Sequence, residues 1–316
     1  MNGKTIILLP VYNAGQFLRE CLDSVIAQTH AEWQLIACND GSKDSSLKIL
    51  KEYAAHDHRI TILNNPENMG ITATRNRLLK NIPDDSDFIA LLDSDDVCFP
   101  DRLMRQIDFL KKNPDVGAVS SNLEIIDENS KTTGFRRYPC SAKKVQKILP
   151  YNNVLAQPAM MLRKDVIQRA GNYSTEYSVC EDYELWLRIL EFADFANLPE
   201  PVIKYRISSG QSKQRQLKTT LKNTIKIQRE YFKRIGCRRP FKLFLRHIAG
   251  YFLLLLPSPW ILKLFCLLTY KKNRIRCHEF DSGTFSQGFD HFNGSICCLV
   301  TYSYCYIKFM KQPKIY

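Results

Sequence analysis

The sequence predicts an α/β fold, a mixed and mostly parallel sheet flanked by helices, followed by a helical C-terminal extension that is basic and apolar. Three observations lead there. Through the first 120 residues short apolar runs alternate with amphipathic segments, an order that builds a largely parallel sheet. The apolar run Phe88-Ile89-Ala90-Leu91-Leu92 stops abruptly at Asp93-Ser94-Asp95-Asp96, three acids within four positions. The net charge of +13 is not spread evenly. Residues 1–202 hold 23 Lys/Arg against 28 Asp/Glu, residues 203–276 hold 19 against Glu230 alone, and the last 40 hold three of each sign.

Each element follows from its pattern. Thr5 to Val11 reads as a strand, and Phe17, Leu18, Cys21, Leu22, Val25 and Ile26 then recur at helical spacing, with Asn13 as the cap. Gln34 to Cys38 is a second strand, Asn39-Asp40-Gly41-Ser42 a turn, and Ser45 to His56 a helix. Strands at Ile60–Leu63 and Phe88–Leu92 enclose a helix from Ile71 to Asn81. A helix from Pro100 to Asn113 precedes a strand from Val116 to Ser120. Beyond residue 120 the rhythm changes to a hairpin over Leu123–Tyr138, a strand over Leu155–Leu162, a helix over Glu181–Phe192, a short strand over Val202–Ile207 and a long basic helix over Gln214–Ile235.

Composition narrows the class. A chain of 316 residues with 45% hydrophobic content can bury a large core. Eleven scattered cysteines without a CxxC pair indicate free thiols in a reducing compartment. No signal-peptide pattern precedes the first strand, so the catalytic part is expected in the cytoplasm. There is no GxGxxG, no GxSxG, and no zinc spacing among the six histidines, which argues against dinucleotide, covalent-serine and zinc chemistry.

Acids at the end of a buried strand need pairing, hydration or a metal. In open α/β sheets ligands sit at the carboxyl ends of strands, where an Asp-x-Asp pair makes a hard oxygen site for Mg²⁺ or Mn²⁺ carrying a diphosphate. The plainer alternative is a solvated turn, with Asp96 capping the next helix.

Four strings stand in order: Leu9-Pro10-Val11-Tyr12-Asn13, Asn39-Asp40-Gly41-Ser42-Lys43-Asp44, Leu92-Asp93-Ser94-Asp95-Asp96 and Glu181-Asp182-Tyr183-Glu184-Leu185-Trp186-Leu187-Arg188. With Asn68-Met69-Gly70, Thr74-Arg75-Asn76 and Tyr205-Arg206 they resemble the family 2 glycosyltransferases, inverting enzymes of the GT-A fold with a Rossmann-like sheet. The resemblance covers residues 4–212. It departs from the family at Thr74, where alanine is usual, and at Ser208, where a histidine is common; any metal or phosphate role of that histidine is absent here.

The resemblance implies a domain at 1–212, with a nucleotide-binding half at 1–98 and an acceptor half at 99–212. It also implies a donor, a nucleotide sugar such as a UDP-sugar, and a saccharide or lipid-linked saccharide acceptor in bacterial-type cell-surface glycan synthesis. Pro10, Val11, Tyr12, Asn13 and Asp40 are expected at the nucleotide, Asp40 accepting from the base unless it only shapes a turn with Gly41. Asp95 is the expected metal ligand, with Asp93 assisting or lying at the ribose. Asp96 caps a helix or touches the donor sugar. Arg75 bridges sugar or phosphate, or else pairs with an acid of the strand end. Arg206 reaches the diphosphate or is a solvated charge. Gln157, Pro158 and Tyr173 are expected near a sugar. Asp182 is the expected catalytic base with Glu181 as the substitute, although acids in a first helical turn are favoured by the helix dipole alone.

Residues 213–316 form the basic extension. Within it, 241–270 is apolar but broken by Pro257, Pro259 and Lys263, and a spanning helix needs about 20 uninterrupted apolar residues. This predicts helices lying on an anionic membrane surface, with a spanning hairpin or a packed core helix as alternatives, and an enzyme peripheral to the inner face of the cell membrane. Nucleic acid is not a fitting partner for so apolar a run. Two other functions share parts of this pattern: a non-catalytic nucleotide-sugar-binding protein, which the intact acids argue against, and a sugar-phosphate nucleotidyltransferase, which lacks its Gly-rich loop here.

Overall fold

The structure, a computed structural model, describes residues 3–208 and 216–255. The chain divides into two compact units, 1–209 and 210–316.

The first unit is built on a seven-stranded sheet. Its strands are β1 (Thr5–Val11), β2 (Trp33–Asp40), β3 (Ile60–Asn65), β4 (Phe88–Leu91), β6 (Val116–Ser121), β9 (Met161–Arg163) and β10 (Asp194–Leu198). They lie in the order β10-β6-β9-β4-β1-β2-β3. Only β9 runs against its neighbours. The other pairs are parallel, so β1, β2 and β4 deliver their carboxyl ends to one edge. β1 and β4 are buried at every position, which is why they read as continuous apolar runs. Helices α1 (Leu18–Ile26), α2 (Ser46–His56), α3 (Ile71–Leu79) and α4 (Arg102–Lys112) connect the early strands as their periodicity predicts.

A second sheet of four strands combines β5 (Val97–Cys98), β7 (Leu123–Ile126), β8 (Thr132–Arg136) and β11 (Ile203–Arg206) in the order β5-β11-β7-β8. The expected hairpin is there as β7 and β8. The short strand near 202–207 pairs in parallel with β7, a long-range partnership that no local pattern announces.

Several expectations change. Asn39 and Asp40 belong to β2 rather than to a turn; the turn is left to Gly41 onward. Gly41 has φ +65°, and a Cβ there would fall 2.4 Å from the Glu67 carbonyl carbon, so only glycine fits. Asn13 does not cap α1, which starts at Leu18. With φ 47° it instead accepts from the Lys43 N–H at 2.9 Å and donates its own N–H to Ser42 Oγ at 3.0 Å, locking two loops together. The stretch 155–162 is not one strand. Pro158 sits in a 3-10 turn at Gln157–Ala159, and only Met161–Arg163 is extended. The apolarity there reflects burial, not strand conformation. Helices α5 (Ala142–Ile148) and α6 (Lys164–Ala170) and strand β10 were not evident from sequence. Helix α7 (Glu181–Ile189) is as expected, and its Trp186 is fully buried, meeting Phe195 edge-on at 5.8 Å.

The second unit contains α8 (Leu217–Arg234) and α9 (Phe241–Leu255), which pack against each other. Gly250 of α9 lies so close that a Cβ would be 2.8 Å from Ile225 Cδ1. No helix among the described residues is long and apolar enough to cross a membrane. The remainder of the predicted membrane segment, 256–270, lies outside the described residues.

Candidate active site

The site forms where β1, β2 and β4 end together, facing the start of α7. β4 finishes at Leu91, and the Leu92 N–H donates to the Leu8 carbonyl at 3.2 Å, so Asp93 leaves the sheet beside Pro10. A narrow cavity there is lined by Pro10, Arg75, Asp93 and Gln157 with leucines behind them.

Arg75, projecting from α3, organises this edge. Its Nη2 donates to Asp93 Oδ1 at 3.0 Å and its Nη1 to Glu181 Oε1. Its guanidinium also lies 5.9 Å from the centre of the Tyr173 ring. Of the two roles expected for Arg75, the structure has the pairing with acids. Burial disfavours the arginine's charge, but Asp93 and Glu181 outweigh it and raise its pKa. Burial also raises the pKa of Glu181, opposed by Arg75 and reinforced by neighbouring Asp182.

Asp182 is less buried than Glu181. Its Oδ1 accepts from the Tyr183 N–H at 2.7 Å and its Oδ2 from Asn153 Nδ2 at 3.4 Å. Cys180, just before α7, is left-handed at φ 66°, a conformation costly for a non-glycine residue and one that aims the first turn of the helix.

Asp40 is only 4% exposed. Its Oδ1 accepts from Asn65 Nδ2 at 2.6 Å and the Met69 N–H at 2.8 Å, and its Oδ2 from the Gly70 N–H at 3.0 Å. The acid therefore fastens loop 68–70 across the end of β2. Val11 is likewise buried in the sheet, whereas Tyr12 and Asn13 are exposed beside this loop's neighbours.

Two residues expected at the donor, Arg206 and Asp96, lie inside the fold. Arg206 is fully buried. It donates to the Asp95 carbonyl at 2.8 Å, the Asp127 carbonyl at 2.9 Å, Ser130 Oγ at 3.0 Å and Glu20 Oε2 at 2.5 Å. It is an internal tie rather than a solvated charge. Asp96, also fully buried, accepts the Arg206 N–H at 2.8 Å. It does not cap α4, which is preceded by Asp101. Together they anchor the loop from which Asp93 and Asp95 project.

Gln157 and Tyr173 close the floor, with Gln157 Nε2 donating to Tyr173 OH at 2.9 Å. Gln157 lines the cavity, and its Oε1 is buried with no hydrogen-bond partner among the described residues. Burial raises the Tyr173 phenol pKa, so that group stays a neutral donor or acceptor. The sequence does not announce Asn65 and Asn153, which hold Asp40 and Asp182 in place, whereas Asn76, which holds the Tyr173 backbone, lies in one of the quoted strings. Lone asparagines carry no spacing signal.

No cluster of three His, Cys, Asp or Glu occurs among the described residues. Asp93 and Asp95 nonetheless fit a Mg²⁺ or Mn²⁺ site, since such ions take one or two carboxylates and complete their shell with water and substrate phosphate.

The comparisons agree with this architecture. Residues 6–171 match Glycosyl transferase family 2. The O-antigen biosynthesis glycosyltransferase WbnJ of Escherichia coli is 32% identical over 212 residues, covering 64% of this chain and 78% of WbnJ. The E. coli UDP-Glc:alpha-D-GlcNAc-diphosphoundecaprenol beta-1,3-glucosyltransferase WfgD is 33% identical over 208 residues, covering 65% and 77%. Among solved structures, S. aureus TarS 1–349 in complex with UDP-GlcNAc superposes with a TM-score of 0.55 at 17% identity, covering 72% of this chain and 71% of that one. The mannosyltransferase PcManGT of Pyrobaculum calidifontis, in complex with GDP-Man and Mn²⁺, gives 0.53 at 15% identity, covering 81% and 71%. The fold is the GT-A type of the glycosyltransferases. The chain belongs to glycosyltransferase family 2.

Proposed function

We propose that this enzyme transfers a sugar, with inversion, from a UDP-sugar to a hydroxyl of a saccharide acceptor, free or lipid-linked, in the assembly of a bacterial-type cell-surface glycan. The observation that carries the reading is the Arg75 bridge. It joins Asp93, at the end of β4, to Glu181, at the start of α7, and so sets a donor-side acid and an acceptor-side helix at a fixed spacing. Glu181 is committed to that bridge, which leaves Asp182 as the base.

The acceptor hydroxyl hydrogen-bonds to the Asp182 carboxylate. As its oxygen attacks the anomeric carbon, the proton passes to Asp182, the bond from the anomeric carbon to the diphosphate oxygen breaks, and the nucleoside diphosphate departs. Asp95, assisted by Asp93, would hold a Mg²⁺ or Mn²⁺, which would supply countercharge to the leaving diphosphate. At the other end, Asp40 Oδ2 offers its remaining lone pair to an N–H of the base, beside Tyr12 and Asn13. Gln157 Oε1 accepts from a donor-sugar hydroxyl. The reaction lies at the cytoplasmic face of a membrane, with the basic second unit on anionic lipid.

The test is Asp182→Asn with purified nucleotide-sugar panels and Mn²⁺. Transfer is expected to fall by about 10²–10⁴, while calorimetric binding of the nucleoside diphosphate matches wild type. Near-normal transfer by this variant would remove Asp182 from the mechanism. An inactive Glu181→Gln beside an active Asp182→Asn would exchange the two roles.

A further inference from the structure

The surface of α9 that faces away from α8 is continuous in a way the apolar count alone does not reveal. At 100° per residue, Tyr251, Phe244, Leu255, Ile248, Phe241, Phe252 and Leu245 fall in that angular order within about 120° of the helix circumference. All seven are exposed, and no charged or small polar residue interrupts them. Leu243, Arg246, His247 and Gly250 occupy the opposite, buried side.

The partner helix completes the pattern. On α8, Lys218, Lys222, Lys226, Arg229 and Lys233 share one stripe about 80° wide, with Glu230 as the one acid of the helix. Arg229 Nη1 donates to Tyr251 OH at 3.1 Å. That bond places the basic stripe against the rim of the apolar arc. An apolar face bordered by lysines and arginines matches the acyl boundary and headgroups of an anionic bilayer. Over the described residues the helix extends about 22 Å, against a hydrocarbon core of roughly 30 Å.

We propose that α8 and α9 form a one-leaflet membrane anchor, with the Phe241–Leu255 arc immersed at the acyl boundary and the α8 stripe on anionic phospholipid headgroups. This rests on the membrane placement proposed above and not on the chemistry of the acids. It selects an anionic lipid surface over a second copy of the chain, because five clustered cations beside the arc repel their own image.

Full-length protein is floated with vesicles of phosphatidylcholine alone or with phosphatidylglycerol. Flotation is expected with the anionic vesicles, weakened but not lost in high salt. Lys218→Gln, Lys222→Gln and Lys233→Gln together should weaken it on the order of a hundredfold. Ile248→Asp with Phe252→Asp should weaken it on both vesicle types. Phe252→Trp, which leaves the fold undisturbed, should gain blue-shifted emission on adding anionic vesicles relative to wild type. Nucleoside diphosphate binding should be unchanged in all three, so a failed site reading and a failed anchor are told apart. Three results would overturn the proposal: wild-type protein that stays with the soluble fraction, Phe252→Trp emission indifferent to vesicles, or arc substitutions that dissolve an oligomer while flotation persists.

Discussion

Arg75 is the residue on which most of the site depends. Its fork satisfies two acids in a nearly buried setting, and lysine has no such geometry. Arg75→Ala should destabilise the first unit by about 3–5 kcal/mol, since it strands buried charge, and should lower turnover as α7 loses its position. Arg75→Lys should recover part of the stability but little turnover; denaturant unfolding and transfer rates measure the two. The contrast with Arg206 shows what a sequence conveys at this scale. Both arginines sit in family strings, and both look able to meet a phosphate. Residue type states only that an anion or carbonyl partner exists. Burial decides which, and Arg206 finds its partners in Asp95, Asp127, Ser130 and Glu20, up to 186 positions away. The acids Asp93 and Asp182 were legible because strand ends and helix starts are local features. Asp96 was not, because its exclusion from water depends on β11.

At the level of elements, helices α1 to α4 were legible from their period, and strands such as β1 and β4 from short apolar runs bounded by turn or acidic residues. β10, α5 and α6 were not. They are five to seven residues long and lean on neighbours rather than on a pattern. The strand expected over 155–162 was too long because the stretch is apolar apart from Gln157, and burial without periodicity does not separate strand from turn. The β2–α2 turn yields a sharp expectation. Gly41→Ala must hold a left-handed φ, at about 1–3 kcal/mol, and must also push back Glu67 and Asn68. Loop 68–70 would then leave Asp40. The variant should melt at a lower temperature and bind nucleoside diphosphate weakly even where folded, by differential scanning fluorimetry and calorimetry.

For the molecule as a whole, charge segregation leaves acid in the catalytic unit and base in the other, and this part of the sequence reading rests on composition alone. One buried group in the second unit gives it a pH limit. His247 accepts from Arg239 through Nδ1 at 3.2 Å and donates through Nε2 to Gln228 Oε1 at 2.9 Å. Burial, with Arg246, Arg239 and Arg229 adding repulsion, lowers its pKa to about 4. The unfolded chain binds that proton near pH 6.5 and the folded one only near 4. Stability from this site is therefore full above about pH 6.5 and is lost as pH falls toward 4. The protection factors of α9 amides, exchange rates corrected for the intrinsic effect of pH, should fall over that window, and His247→Gln should flatten the response.

The tie between Arg206 and the acid loop also sets an order of events during synthesis. The ribosome delivers Asp93 to Asp96 more than a hundred residues before the arginine that anchors them, and β9, which fills the gap between β4 and β6, also arrives later. A nascent chain stopped near residue 98 would carry β1 to β4 with an open edge and a loose loop. The acid loop is thus early in the sequence and late to be anchored, and truncations short of Arg206 should be retained by chaperones.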